Sequence, residues 1–385
     1  MTVAWHRAEQ RVAMPANGHT LPSMQRYEAH LRATIDWLLL SIEQGKGGSS
    51  AHYSPLRGWA APYPETSGYI IPTLLEAAHH LHDPGLETHA EKLGEWLLAL
   101  QHGDGWWPGG LLTNGAAVRP SVFNTAQILE GMVALARRTE DVRWHQAAAS
   151  AAAWLASGVD AAGLWRQGNY RPGFNPSYYA QVAWPMLQAW QLLNHGQSRE
   201  AAVRVLERVV ALRTAQDTIA DWGFEAGRPA FTHTIAYTLR GLIESALILN
   251  AWDAFAAPCM PAVEKMLRAS ELRNGRLPGA YHRDWHPVDW YSCLTGNVQI
   301  AVCLLRMEQR HPDLRVVNGA AKLVDFACAK QNLEQGRKAK RGAVAGSSPV
   351  WGRYMCMRYP NWAAKYHADA LMALRDRLAR ELSVS

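Results

Sequence analysis

With 385 residues, 48% of them hydrophobic, the chain has enough apolar material for one large core or two average ones. A net charge of +6 at this length excludes a strongly basic nucleic-acid-binding surface and leaves room for an anionic partner. Five cysteines, an odd number with no CxxC or Cys/His pairing at metal-site spacing, are read as buried thiols. They imply no disulfide framework, no structural zinc and no cofactor.

Residues 1–22 carry His6, Arg7, Glu9, Gln10 and Arg11 where a signal peptide needs an apolar run. They are read as an N-terminal extension before a single domain over 23–385. No later window holds ~18 uninterrupted apolar residues, so a soluble, cytoplasmic chain without a membrane span is expected. Amphipathic helices are expected over 25–44, 87–101, 141–156, 199–213, 257–270 and 313–330. In 199–213, for example, Glu200, Arg204, Glu207 and Arg208 oppose a stripe of Val203, Leu206, Val209 and Val210.

After each of these comes a segment of a second kind, starting at Glu65, Ser121, Pro176, Phe231, Trp290 and Asn361, at intervals of 56, 55, 55, 59 and 71 residues. Each opens with polar and aromatic residues and then turns apolar on nearly every face, as a helix buried along its length does. Six outer and six inner helices closing into an all-α (α/α)6 toroid are expected, because no terminal segment resembles the polar cap that an open solenoid needs. Strand signals are nearly absent, with short β-like turns expected around Gly105–Trp107 and Trp222–Phe224. The basic run Arg337, Lys338, Lys340 and Arg341 is read as a solvated loop.

If the inner helices run in parallel, their N-terminal ends meet at one mouth of the ring, where the unusual residues collect. Tyr63 and Glu65 precede the first, Asn124 the second, and Arg171 and Tyr178 the third. Trp222, Glu225, His233 and Tyr237 belong to the fourth. Tyr281, His282, Asp284, Trp285, Asp289 and Trp290 belong to the fifth, and Trp351, Arg353, Trp362 and Lys365 to the last. Thr66, Ser121, Ser177 and Asn361 read as helix N-caps. The 17 tryptophans and 13 tyrosines, against six phenylalanines, combine apolar faces with polar edges. Sugar clefts use such rings, and so does helix packing.

The stretches YPETSGYIIPTLL, FNTAQIL, TGNVQIA and YPNWAAKYHADALM, with the sixfold repeat, resemble the six-hairpin glycosidase-like proteins of bacterial polysaccharide-biosynthesis loci. The likeness runs from about Trp59 to Arg375, and implies a carbohydrate-active toroid without specifying its reaction. KLGEWLLALQHGDGWW (Lys92 to Trp107) is similar to the QW motif of triterpene cyclases, which is structural and ties an outer helix to the next turn. The chain lacks the DxDD and DxxDD clusters of those enzymes.

Glycoside hydrolysis requires two carboxyls flanking the scissile bond. Glu65 paired with Asp284 or Asp221 is the expected acid and base, with Glu225 and Asp289 as further carboxylates and Trp106, Trp165, Trp222, Trp285, Trp290 and Trp351 as stacking platforms. The alternative is lyase or C5-epimerase chemistry on a uronate, with His233, Tyr237 and Tyr281 moving protons and Asn124 and Arg171 holding the carboxylate. A third reading is a non-catalytic glycan-binding protein. The partner in each case is a poly- or oligosaccharide, including anionic chains and lipid-linked or nucleotide-activated precursors, and not a nucleic acid.

Overall fold

The computed structural model describes residues 21–382 except 114, 116, 117, 335 and 337. Of the expected extension over 1–22, residues 1–20 lie outside the described residues, as does Arg337 of the basic run. Thirteen α-helices follow in chain order among the described residues: α1 (Leu21–Gly45), α2 (Pro64–Leu81), α3 (Gly85–Leu98), α4 (Val122–Arg138), α5 (Val142–Ser157), α6 (Ala180–Leu193), α7 (Gly196–Ala211), α8 (Thr232–Leu249), the four-residue α9 (Trp252–Phe255), α10 (Met260–Leu272), α11 (Leu294–Glu308), α12 (Leu314–Cys328) and α13 (Asn361–Leu382). No helix is long and apolar enough to cross a membrane among the described residues.

The all-round apolar segments form the inner ring. α2 packs on α4, α4 on α6, α6 on α8, α8 on α11, α11 on α13, and α13 returns to α2. That last contact closes the toroid. α1, α3, α5, α7, α10 and α12 form the outer layer. α7 shows why: it buries Ala201, Ala202, Val205, Leu206 and Val209 on one face while its charged residues face outward. The expected helix over 257–270 starts later, at Met260, after a 3₁₀ turn over Ala257–Cys259. Pro258 and Pro261 lack the N–H groups that would join the two pieces into one regular helix.

Inner helices approach closely at small residues. A Cβ on Gly68 would lie 2.5 Å from Ile128 Cα, and one on Gly131 would lie 2.3 Å from the Gly68 carbonyl oxygen, so α2 and α4 cross where neither has a side chain. α2, α6 and α8 each end in the left-handed conformation, at His82, Asn194 and Asn250, where backbone N–H groups return to the last turn. The chain can then reverse into the next outer helix within a few residues.

The short strands lie elsewhere than at the turns expected from sequence, in the segments leading into inner helices. β1 (His52–Ser54) pairs with β2 (Gly58–Trp59) and with β8 (Tyr359–Pro360); β3 (Ala230–Phe231) pairs with β4 (Ala280–Tyr281), which pairs with β5 (Pro287–Val288); and β6 (Ser292–Cys293) pairs with β7 (Ser347–Ser348). These ladders stitch the approaches to α2 and α13, to α8 and α11, and to α11 and α13. They hold neighbouring helix starts in register.

Of the four expected caps, Ser121 alone acts as one, its Oγ accepting the Asn124 N–H at 3.3 Å. Ser177 Oγ donates to the Ala220 carbonyl and Thr66 Oγ1 to the Tyr63 carbonyl. Asn361 Nδ2 reaches across the ring seam to Ser49 Oγ, the Ser50 carbonyl and Thr66 Oγ1, at 2.8, 3.0 and 2.9 Å. Four cysteines are buried as expected, but Cys356 is exposed.

Candidate active site

The N-terminal ends of the inner helices enclose a cluster of buried side chains, mostly tyrosines, called the chamber below. At its centre is Glu65, in the first turn of α2 and 8% exposed. Its Oε2 accepts the Tyr63 hydroxyl at 2.5 Å. Asn124, at the start of α4, reaches the same tyrosine. Burial raises the Glu65 carboxyl to about 7, opposed by the Tyr63 hydrogen bond, and no second carboxylate acts on it. Its charge is felt in turn by Tyr69, Tyr178, Tyr237 and Tyr354, whose hydroxyls burial drives well above their ordinary range. These phenols are therefore neutral hydrogen-bonding groups.

His233, in the first turn of α8, packs against Tyr237 and Tyr354, with ring centroids 4.4 and 5.2 Å away. Its Nδ1 lies 2.7 Å from Gln299 Oε1. Because that amide oxygen only accepts, Nδ1 carries the proton and Nε2 keeps its lone pair. Burial lowers the imidazole to about 4, with the Gln299 bond opposing. At neutral pH the chamber thus holds a neutral imidazole and a carboxyl near half-protonation. Phe123, Phe224 and Tyr366 fill the remaining wall, and Trp362 donates its indole N–H to Tyr354 at 2.8 Å.

Further along the same helices lies a charged floor. Lys365 is buried with its Nζ on Asp369 Oδ2 at 2.5 Å, below the rings of Tyr69 and Tyr366. Asp369 also accepts from Thr73 at 2.7 Å and faces Arg240 at 3.8 Å. Arg240 lies over Trp184 and pairs with Glu244, which Arg306 binds at 2.8 Å. Glu76, although exposed, is raised to about 7 by the desolvation its neighbours impose and then by Asp369, and the buried Glu130 is raised by burial.

The structure brings Tyr63, Glu65, Asn124, Tyr178, His233, Tyr237 and Trp362 together and distributes the other candidates elsewhere. Asp284 is exposed and accepts the His286 N–H at 3.0 Å, a bond that holds its carboxyl below the usual range. Asp221 occupies an exposed left-handed turn in a surface groove of about 270 Å³ shared with Arg208. Neither stands beside Glu65 as the expected second carboxylate. Glu225 pairs with Arg171 at the surface, although Arg171 still acts on Tyr178. Asp289, His282 and Arg353 are exposed.

Four of the expected platforms are packing residues. Trp165 is buried, donating to the Leu155 carbonyl at 3.0 Å, just as Trp107 donates to Leu97 at 2.7 Å in the QW-like stretch. Gln101 completes that stretch by bridging Gly105 and Ala147. Trp106 stacks on His102. Trp222 is buried edge-on against Trp285, which also touches Tyr281 and donates to the Gln216 carbonyl. Trp290 and Trp351, 52% and 64% exposed, stay accessible on loops above the mouth, as does Tyr170 at 73%. Lys365 belongs to the floor. Sequence reasoning passed over Gln299, Glu130, Arg240 and Asp369; the available signal was a polar or charged residue in the middle of an otherwise apolar inner helix.

Apart from the four-residue α9, the helices make an (α/α)6 toroid, six inner and six outer, with one polarised mouth. Among solved structures the chain is similar to a cellobiose 2-epimerase from Bacillus thermoamylovorans B4167 (TM-score 0.75, 9% identity, 93% of this chain and 100% of that one). It is likewise similar to an unsaturated glucuronyl hydrolase specific for heparin (0.71, 13%, 92% and 98%), and to a novel alpha-amylase from Clostridium perfringens (0.64, 10%, 90% and 97%). At these identities the likeness is one of fold. No family model and no curated protein matches the sequence.

Proposed function

We propose that this protein is a carbohydrate-active enzyme that moves a proton to or from a saccharide held in the tyrosine chamber, with Glu65 as the acid/base group and His233 as its partner. The observation that carries this reading is Glu65 itself, a carboxyl buried among aromatic rings, raised to about 7, and hydrogen-bonded to one phenol. A group poised near neutrality both donates and accepts protons at working pH. Saccharide as the substrate class is supported by the exposed rings of Tyr170, Trp290 and Trp351 and by the glycan-directed enzymes sharing the fold. Buried amide atoms of Gln127, Gln181 and Gln299 without partners offer hydrogen bonds to sugar hydroxyls.

One carboxyl and one neutral imidazole, both acting on Tyr237 and Tyr354, suit proton exchange at a sugar carbon, the epimerase class, better than the two-carboxylate hydrolysis expected from sequence. Hydrolysis is the second reading, favoured by the protonated form of Glu65, which can donate to a leaving glycosidic oxygen. The resemblance to polysaccharide-biosynthesis proteins points to a polymer precursor as the physiological substrate. The test is incubation with neutral and uronate oligosaccharides in heavy water. Deuterium at a ring carbon without new reducing ends supports epimerisation, whereas new reducing ends support hydrolysis. Binding with neither product, and no difference between wild type and Glu65→Gln, overturns the enzymatic reading.

A further inference from the structure

Three metal-ligating side chains lie together outside the chamber. His30 on α1, Cys328 at the end of α12 and His367 on α13 are all buried, and one donor atom from each lies within 4.8 Å of the other two. Cys328 Sγ is 3.9 Å from His367 Nε2, and the two imidazole rings meet edge-on at 6.4 Å. Ligands at about 2.3 Å (sulfur) and about 2.0 Å (nitrogen) from one tetrahedral or trigonal metal are themselves separated by about 3.6–3.8 Å. The observed spacing is close to that needed.

Two further observations point to a ligand. Gln331 Nε2 donates to Thr34 Oγ1 at 2.7 Å and to the Gly342 carbonyl at 2.6 Å, which turns its Oε1 toward His30 Nδ1 at 2.5 Å. His30 Nδ1 must then carry the proton, leaving Nε2 as a lone-pair donor, the arrangement a neighbouring acceptor imposes on a metal-binding histidine. His367 is wholly buried, and its Nε2 faces the Cys328 sulfur at 3.9 Å, beyond the length of an ordinary hydrogen bond and close to the separation of two ligands on one metal. Its Nδ1 has no hydrogen-bond partner, so neither ring nitrogen is satisfied by a short bond within the protein.

We propose that His30, Cys328 and His367 form a metal site, selective for Zn²⁺ over hard cations, that fastens the first outer helix to the last two helices of the ring. Two imidazoles and one sulfur are a borderline-soft donor set that suits zinc and disfavours calcium and magnesium. On binding, the Cys328 thiol loses its proton to solvent and the thiolate sulfur bonds the metal, with no change of oxidation state. His30 and His367 are 337 residues apart, so the site ties the ends of the described chain together across the ring seam. Sequence spacing hides it, because each ligand comes from a different helix.

The test uses the full chain carrying Cys356→Ser, which removes the exposed thiol, stripped with chelator and titrated with Co²⁺ and then Zn²⁺. One equivalent of metal, a thiolate-to-cobalt charge-transfer band and a Zn²⁺-dependent rise in Tm are expected. Cys328→Ser abolishes the band, while Cys303→Ser, a buried thiol elsewhere, keeps it. Gln331→Leu weakens Zn²⁺ binding about 10–100-fold by releasing the His30 tautomer. Absence of stoichiometric binding or of the cobalt band in the Cys356→Ser protein overturns the proposal, as does a band that survives Cys328→Ser.

Discussion

Replacing Glu65 by Gln should abolish turnover and, above neutral pH, make the protein more stable. In the folded chain the carboxyl is raised from 4.5 to about 7. Between those values the folded state holds a proton that the unfolded state has released, so wild-type stability falls as pH rises through this window. The shift corresponds to about 3 kcal/mol at pH above 7 and to nothing below about 4.5, where both states are protonated. Gln cannot ionise but keeps an oxygen to accept the Tyr63 hydroxyl, so the variant escapes that loss without giving up the bond. With an unfolding entropy of about 2 cal/mol/K per residue, the difference amounts to a Tm gain of about 4 °C at pH 9 that vanishes near pH 4. Thermal melts of both proteins across pH 4–9 measure it, and contributions from Glu76 and Glu130 cancel in the comparison. A Tm difference independent of pH, or a variant less stable at pH 9, would show that Glu65 is not a buried carboxyl held near neutrality, and the assignment of the chamber would fail with it.

The same two groups shape the wild-type pH–rate profile: kcat/KM should fall above about 7 as Glu65 loses its proton and below about 4 as His233 gains one, and a profile flat across pH 4–9 would show that neither group acts in the reaction. Lys365→Met leaves Asp369 in the floor with Thr73 and Arg240 as its remaining partners, and should cost about 3–5 kcal/mol by denaturant unfolding. Adding Asp369→Leu should recover part of that loss, because the stranded charge is then gone. Trp351→Ala, at an exposed position above the mouth, should raise KM for a long oligosaccharide several-fold with Tm unchanged; an unchanged KM would remove Trp351 from the substrate path.

The sequence by itself determined the architecture. Burial along a helix is written in the period of its side chains, so the all-round apolar segments at near-constant spacing named the inner ring, and the one-sided segments named the outer layer. The polarity of the ring was legible too, because aromatic and polar residues gather at the same end of every inner helix, and Glu65 was identifiable as a carboxyl among aromatics just before an apolar run. The tertiary structure alone decided which of the remaining candidates meet. Asp284 and Glu65 read alike in one dimension, yet one carboxylate is taken up by its own turn and the other is buried beside Tyr63. Adjacent tryptophans such as Trp106 and Trp107 carry no mark of which tucks its N–H under the outer helix. The charged floor and the His30, Cys328 and His367 cluster draw one residue or two from each of several helices. Periodicity encodes which face of a helix is buried, but not which residue of a distant helix lies opposite it, because that depends on the angles and registers at which the packed helices cross.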